Sequence, residues 1–109
     1  MARFIHEGNS IDYTPGSDVA AGAVVVQGDL VGVAARDIKA NKLGALAVAG
    51  VFDFPKATGG STAIAAGAPC YWNAGAQQAT TTASGNKLIG KCSKAAADAD
   101  ALVRIRLSQ

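Results

Sequence analysis

Histidine and glutamate occur once each in this 109-residue chain, as His6 and Glu7. A single histidine leaves no imidazole cluster for a metal, and any Ser-His-Asp constellation would depend on a residue near the N-terminus. Aromatic residues make up only 6% of the chain, while the 50% that is hydrophobic is rich in Ala. Small side chains bury little area each at ~25 cal/mol per Å², so a thin core is expected, with assembly supplying further burial. Long apolar runs are missing too. The opening Met1–His6 has none, which argues against a signal peptide or membrane anchor and for synthesis in a cytosol. Charged residues are 17% of the chain with a formal net charge of +2, far from the basic stripe of a nucleic-acid binder. The two cysteines, Cys70 and Cys92, lie in apolar strand-like runs and are expected as buried free thiols rather than a disulfide.

The length fits one domain, residues 1–109, since domains usually take ~100–200 residues. Within it, period-2 alternation recurs. In Ala101–Ser108, Val103, Ile105 and Leu107 face one way and Arg104 and Arg106 the other, as in a half-buried antiparallel strand. Leu46–Phe54 alternates in the same manner, with Leu46, Val48, Gly50, Phe52 and Phe54 on one face. Ile11 and Tyr13 alternate with Asp12 and Thr14. Val24–Gln27 and Leu30–Val33 flank Gly28-Asp29, a two-residue loop whose leading glycine suits a type II′ hairpin. Pro and Gly divide the remainder into short strands, at Pro15-Gly16, Pro55, Gly59-Gly60, Pro69 and Gly85-Asn86. The expected fold is all-β, a small antiparallel β-barrel or β-sandwich of short strands with little helix. Lys94–Ala101 lacks an apolar stripe and forms one helical turn at most.

A faint repeat is also present. Val19-Ala20-Ala21-Gly22-Ala23 resembles Ile64-Ala65-Ala66-Gly67-Ala68, and Leu30-Val31-Gly32 resembles Leu88-Ile89-Gly90. Both a duplicated unit and chance similarity in an Ala-rich chain account for it.

The segment Gly85–Cys92 matches the phosphate-binding pattern G-x-x-x-x-G-K-[ST] except at its last position. That position needs a hydroxyl for Mg²⁺, and the soft sulfur of Cys92 suits the ion poorly. The segment also follows the polar run Gln77–Ser84 rather than a buried strand, so a strand after a turn is the better reading. Asp53, at the end of Val48–Asp53, then has no Mg²⁺ to bind. Asp98 and Asp100 are spaced like paired carboxylates but read as a polar turn. Lys39, Lys42, Lys56, Lys87, Lys91 and Lys94 are scattered among aspartates without interleaved aromatics, as on solvated faces. The chain is read as a non-enzyme that binds protein surfaces, with no cofactor, metal or small-molecule substrate.

Several segments together resemble the phage capsid cement (head decoration) family. They are Ala21–Val25, Leu30–Ala34, Gly50-Val51-Phe52-Asp53-Phe54-Pro55-Lys56, Ala66–Trp72 and Leu88–Gly90, ending in the alternating strand that reaches Leu107. The similarity spans about Ile11 to Leu107. It implies a β-rich, non-enzymatic protein of the virion, made in the host bacterial cytoplasm, that binds the outer surface of a tailed-phage head. The implied partner is the major capsid protein, the implied assembly a homotrimer, and the implied role stabilisation of the expanded lattice. Nucleic acid and membrane are not expected partners. Members of the family have also carried a recombinase-like label, which would require an ATP-driven enzyme that these residues do not support. Rival readings are a head-fibre or tail adaptor, a nucleotide-dependent recombinase and a nucleic-acid-binding β-barrel.

Residues 1–9 precede the first alternating strand and are set off by Gly8-Asn9-Ser10. They carry Phe4 and Ile5 beside Arg3 and His6, an apolar pair that some surface must cover. This N-terminal arm, with Trp72, supplies the candidate capsid or subunit contacts. An edge strand of the protein's own sheet or a neighbour's is the alternative for the arm.

Overall fold

The computed structural model describes residues 2, 3 and 8–108. Among them it forms nine strands: β1 (Ser10–Tyr13), β2 (Val24–Gln27), β3 (Leu30–Ala34), β4 (Gly44–Ala47), β5 (Gly50–Pro55), β6 (Pro69–Asn73), β7 (Gln78–Thr80), β8 (Lys87–Lys94) and β9 (Leu102–Leu107). No described residue is helical. The strands build a four-stranded sheet of order β1-β4-β3-β2 and a five-stranded sheet of order β5-β9-β8-β6-β7. Every neighbouring pair is antiparallel. The fold is all-β as expected. The sheets do not close into a barrel, so of the two architectures foreseen the sandwich is the compatible one.

The two sheets are built on one plan. Matching β1, β2, β3 and β4 to β5, β6, β8 and β9 turns the first strand order into the second, with β7, which follows β6 in the chain, added at the edge beside β6. The turns before β2 and β6 agree bond for bond. Gly22 and Gly67 have φ of +85° and +83°, a region open to glycine because it lacks Cβ. Gly22 N–H donates to the Ala34 carbonyl and Gly67 N–H to the Cys92 carbonyl, both at 2.7 Å. Ala23 and Ala68 close the same turns onto Ala20 and Ala65 at 3.1 Å. Isolated bridges Val19–Ile38 and Ile64–Ala96 then tie each incoming loop to the chain beyond β3 or β8. The faint sequence repeat therefore marks a repeated structural unit.

Gln27 and Leu30 face each other across the β2–β3 turn, where Gly28 has φ of +62° as a type II′ turn requires at its first central position. The alternating run Leu46–Phe54 departs from its sequence reading. It is two strands in two sheets rather than one, parted at Gly50, whose φ of +112° redirects the chain. Alternation carries through the break, which is why the pattern alone does not reveal it.

Most of the core belongs to the five-stranded sheet. Val103, Ile105 and Leu107 turn inward from β9, as alternation requires, and join Phe54, Trp72, Cys70, Ile89 and Cys92. Phe54 and Trp72 meet edge to face, ring centroids 6.1 Å apart and inclined at 61°. Val31 and Val33 of β3 enter this cluster and bring the four-stranded sheet against it. Burying side chains of this size contributes ~1.5–3 kcal/mol each. A smaller cluster of Ala34, Ile38 and Leu46, flanked by Ile11, Tyr13 and Val25, lies within the first unit.

Candidate interaction surface

The segment resembling a phosphate loop is a turn and a strand. Gly85, at φ +76°, ends the turn, and the Asn86 side-chain amide donates to the Thr82 carbonyl at 2.9 Å. From Lys87 onward the chain is β8, paired with β6 on one side and β9 on the other. Its backbone serves those ladders rather than a phosphate. Lys91 projects to solvent, while Cys92 is buried and donates its thiol to the Lys94 carbonyl at 3.0 Å. Cys70 and Cys92 are both free thiols. Burial, aided by the nearby Cys92, pushes the Cys70 thiol up to about 11.

The aspartates of the polar turn are engaged locally. Asp98 Oδ1 accepts the Thr62 and Ala63 amides at 3.1 and 2.8 Å, and Asp100 Oδ2 accepts the Ala97 amide at 2.9 Å. No group of three or more metal-ligating side chains occurs among the described residues.

Lys56 corrects an expectation. Rather than lying on a solvated face, it is 4% exposed, the one buried charged side chain among the described residues. Its Nζ donates to the Asp100 carbonyl at 2.8 Å, the Ala57 carbonyl at 2.7 Å and Thr62 Oγ1 at 3.4 Å. An ammonium has three N–H donors, and all three are used. The Lys56 amide also donates to the Ala101 carbonyl at 2.9 Å. Lys56 thus clasps the loop after β5 to the turn before β9. A signal was present in the sequence: positions 52, 54 and 56 continue one strand face, and Phe54 points inward.

Of the contact candidates, Arg3 is exposed, whereas Phe4, Ile5 and His6 lie outside the described residues. Trp72 does not serve as expected. It is 2% exposed, in the core against Phe54, because alternation along β6 turns Cys70 and Trp72 inward together.

An exposed surface that sequence reasoning did not assemble lies on the five-stranded sheet. The outward residues of β9 are Leu102, Arg104 and Arg106. Across the ladder to β8, Arg106 faces Lys91 and Arg104 faces Lys94; across the ladder to β5, Arg106 faces Val51 and Arg104 faces Asp53. Arg104 donates to both Asp53 oxygens, at 2.9 and 3.2 Å. This pairing holds the Asp53 carboxyl below its ordinary range and raises the Arg104 guanidinium. Val51 and Leu102, 54% and 55% exposed, are apolar residues on the same face. The alternation was visible in the sequence, but the register that sets Lys91 beside Arg106 was not.

Clefts near this sheet are shallow and small. One of about 250 Å³, lined in part by Thr62, Asn73 and Thr80, holds no constellation of catalytic type. Comparison with curated proteins and with solved structures gives no match. The family model for phage cement proteins, in contrast, matches residues 5–107, nearly the whole chain. With that coverage, the chain belongs to the phage cement protein family.

Proposed function

We propose that this protein is a non-enzymatic cement protein that binds the outer surface of a tailed-phage head and stabilises the expanded capsid lattice. Family membership across residues 5–107 carries this reading. The structure supports it in kind: aspartates spent on turns, buried thiols, and an exposed charged sheet face. The partner is the major capsid protein, and the place of action is the outside of the virion after synthesis in the host bacterial cytoplasm. A homotrimer suits a protein with a thin core, because linking three weak contacts multiplies their joint affinity.

The test is sedimentation of the purified protein with expanded heads that lack it. Co-sedimentation with a copy number that scales with shell area supports the cement role. Binding restricted to a single vertex would assign the protein to a fibre or tail adaptor instead, and no binding would reject both.

A further inference from the structure

The solvent face of β5, β9 and β8 gathers charge that the fold does not need. Four of the ten basic side chains lie there, Lys91, Lys94, Arg104 and Arg106, with one of the eight acidic ones, Asp53. The face therefore carries +3, while the remainder of the chain carries −1, giving the net +2. Asp53 is committed to Arg104. Asp100 stands at the rim of the adjoining cleft with Lys94 and Arg104, one of its oxygens accepting the Ala97 amide. It offsets part of the positive charge at that edge, leaving Lys91 and Arg106 as the most strongly basic part of the face. Lys91 and Arg106 make no ion pair among the described residues, and Lys94 lies near enough to Asp53 to act on its charge without a direct ion pair.

The placement is unfavourable in isolation. Lys91 and Arg106 are directly opposite across the β8–β9 ladder, Lys94 meets Arg104 past a register shift in β8, and like charges opposite one another destabilise a sheet. Beside them sit Val51 and Leu102, two of the three exposed large hydrophobic residues among those described. Arginine is enriched at contact surfaces, and here two arginines stand beside two exposed apolar side chains. A second copy offering the same face would be repelled by it, so an isologous pairing is disfavoured and an acidic complement fits.

We infer that this face docks the protein onto the phage shell, at a site where carboxylates of the capsid protein surround a small apolar contact. The inference rests on the cement reading and names the surface and the chemistry that serve it. Attraction of this kind speeds encounter and orients the two partners.

Expanded heads lacking the protein are the probe, with bound protein measured by sedimentation at low and raised salt. The wild type binds, and salt weakens it. Lys91→Glu/Arg106→Glu weakens binding by roughly tenfold or more, since reversed charges then face the acidic site. Lys91→Gln/Arg106→Gln weakens it less. Arg36→Glu/Lys42→Glu, which makes the same charge change on exposed loops of the four-stranded unit, binds as the wild type does. Melting temperatures of all variants verify folding. If the wild type binds and Lys91→Glu/Arg106→Glu binds equally well, the face is wrong while the cement role stands. If the wild type fails to bind at any salt, the cement reading fails and this inference with it. Retention of a short DNA duplex by the wild type, lost in the face variant, would assign the surface to nucleic acid and overturn the inference.

Discussion

Gly90 in β8 lies so close to Arg106 in β9 that a Cβ at Gly90 would collide with the Arg106 carbonyl. Its counterpart Gly32 stands against Leu46 in the other sheet, where a Cβ would meet the Leu46 Cβ at 2.9 Å. Neither neighbour is the free end of a side chain, and the approach at Gly90 is much the closer of the two. Gly90→Ala should therefore cost more than Gly32→Ala, reaching or exceeding the ~1–3 kcal/mol typical of overpacking. Urea midpoints of the two variants check the order; a neutral Gly90→Ala would contradict the close approach.

Lys56→Met should cost a few kcal/mol. The methionine fills much of the space but leaves the part-buried Asp100 and Ala57 carbonyls without the donors they have now, at up to ~1–3 kcal/mol for each left unsatisfied. Lys87→Met is the control, since Lys87 pairs with the almost fully exposed Asp29, a kind of pair worth ~0.2–1 kcal/mol. Equal losses in chemical denaturation would show that the Lys56 clasp contributes little.

The two faces of β9 should respond very unequally. Val103 is 1% exposed, and Val103→Asp buries a carboxylate with no partner, a cost of several kcal/mol on the order expected for an unpaired polar group. Arg104→Ala removes a solvent-exposed pair with Asp53 and should cost less than about 1 kcal/mol. Comparable drops in melting temperature would mean that the faces are assigned wrongly.

Much of this was legible in the sequence, and the limits have physical causes. Alternation declared the inward set Val103, Ile105 and Leu107, because a strand's period of two is written locally. The repeat around Gly22 and Gly67 was legible because a left-handed turn calls for glycine. The change of sheet at Gly50 was not, since the alternation continues across it. The inward direction of Lys56 was legible from the face it shares with Phe54, but its acceptor at Asp100, forty-four residues along the chain, was not. The basic face escaped for the same reason: Lys91 and Arg106 become neighbours only through the register of two strands.

Cys70 gives the stability a pH dependence on the alkaline side. Its folded pKa is raised from 9.0 to about 11, chiefly by burial, so the folded state holds the proton that the unfolded chain releases. The stabilisation is complete below about pH 9 and is lost as pH rises through about 11. Cys70→Ala should flatten that part of the curve. Denaturant midpoints between pH 8 and pH 11 measure it, and an unchanged slope in the variant would remove Cys70 as the cause.

The cement role is tested most directly by the heat resistance of the shell itself. Expanded heads lacking the protein are titrated with it, and the temperature at which they rupture is followed by light scattering and by release of packaged DNA. We expect the rupture temperature to rise with the amount of protein bound and to level off once the lattice is saturated. Heads that bind the protein in full yet rupture at the temperature of bare heads would contradict it.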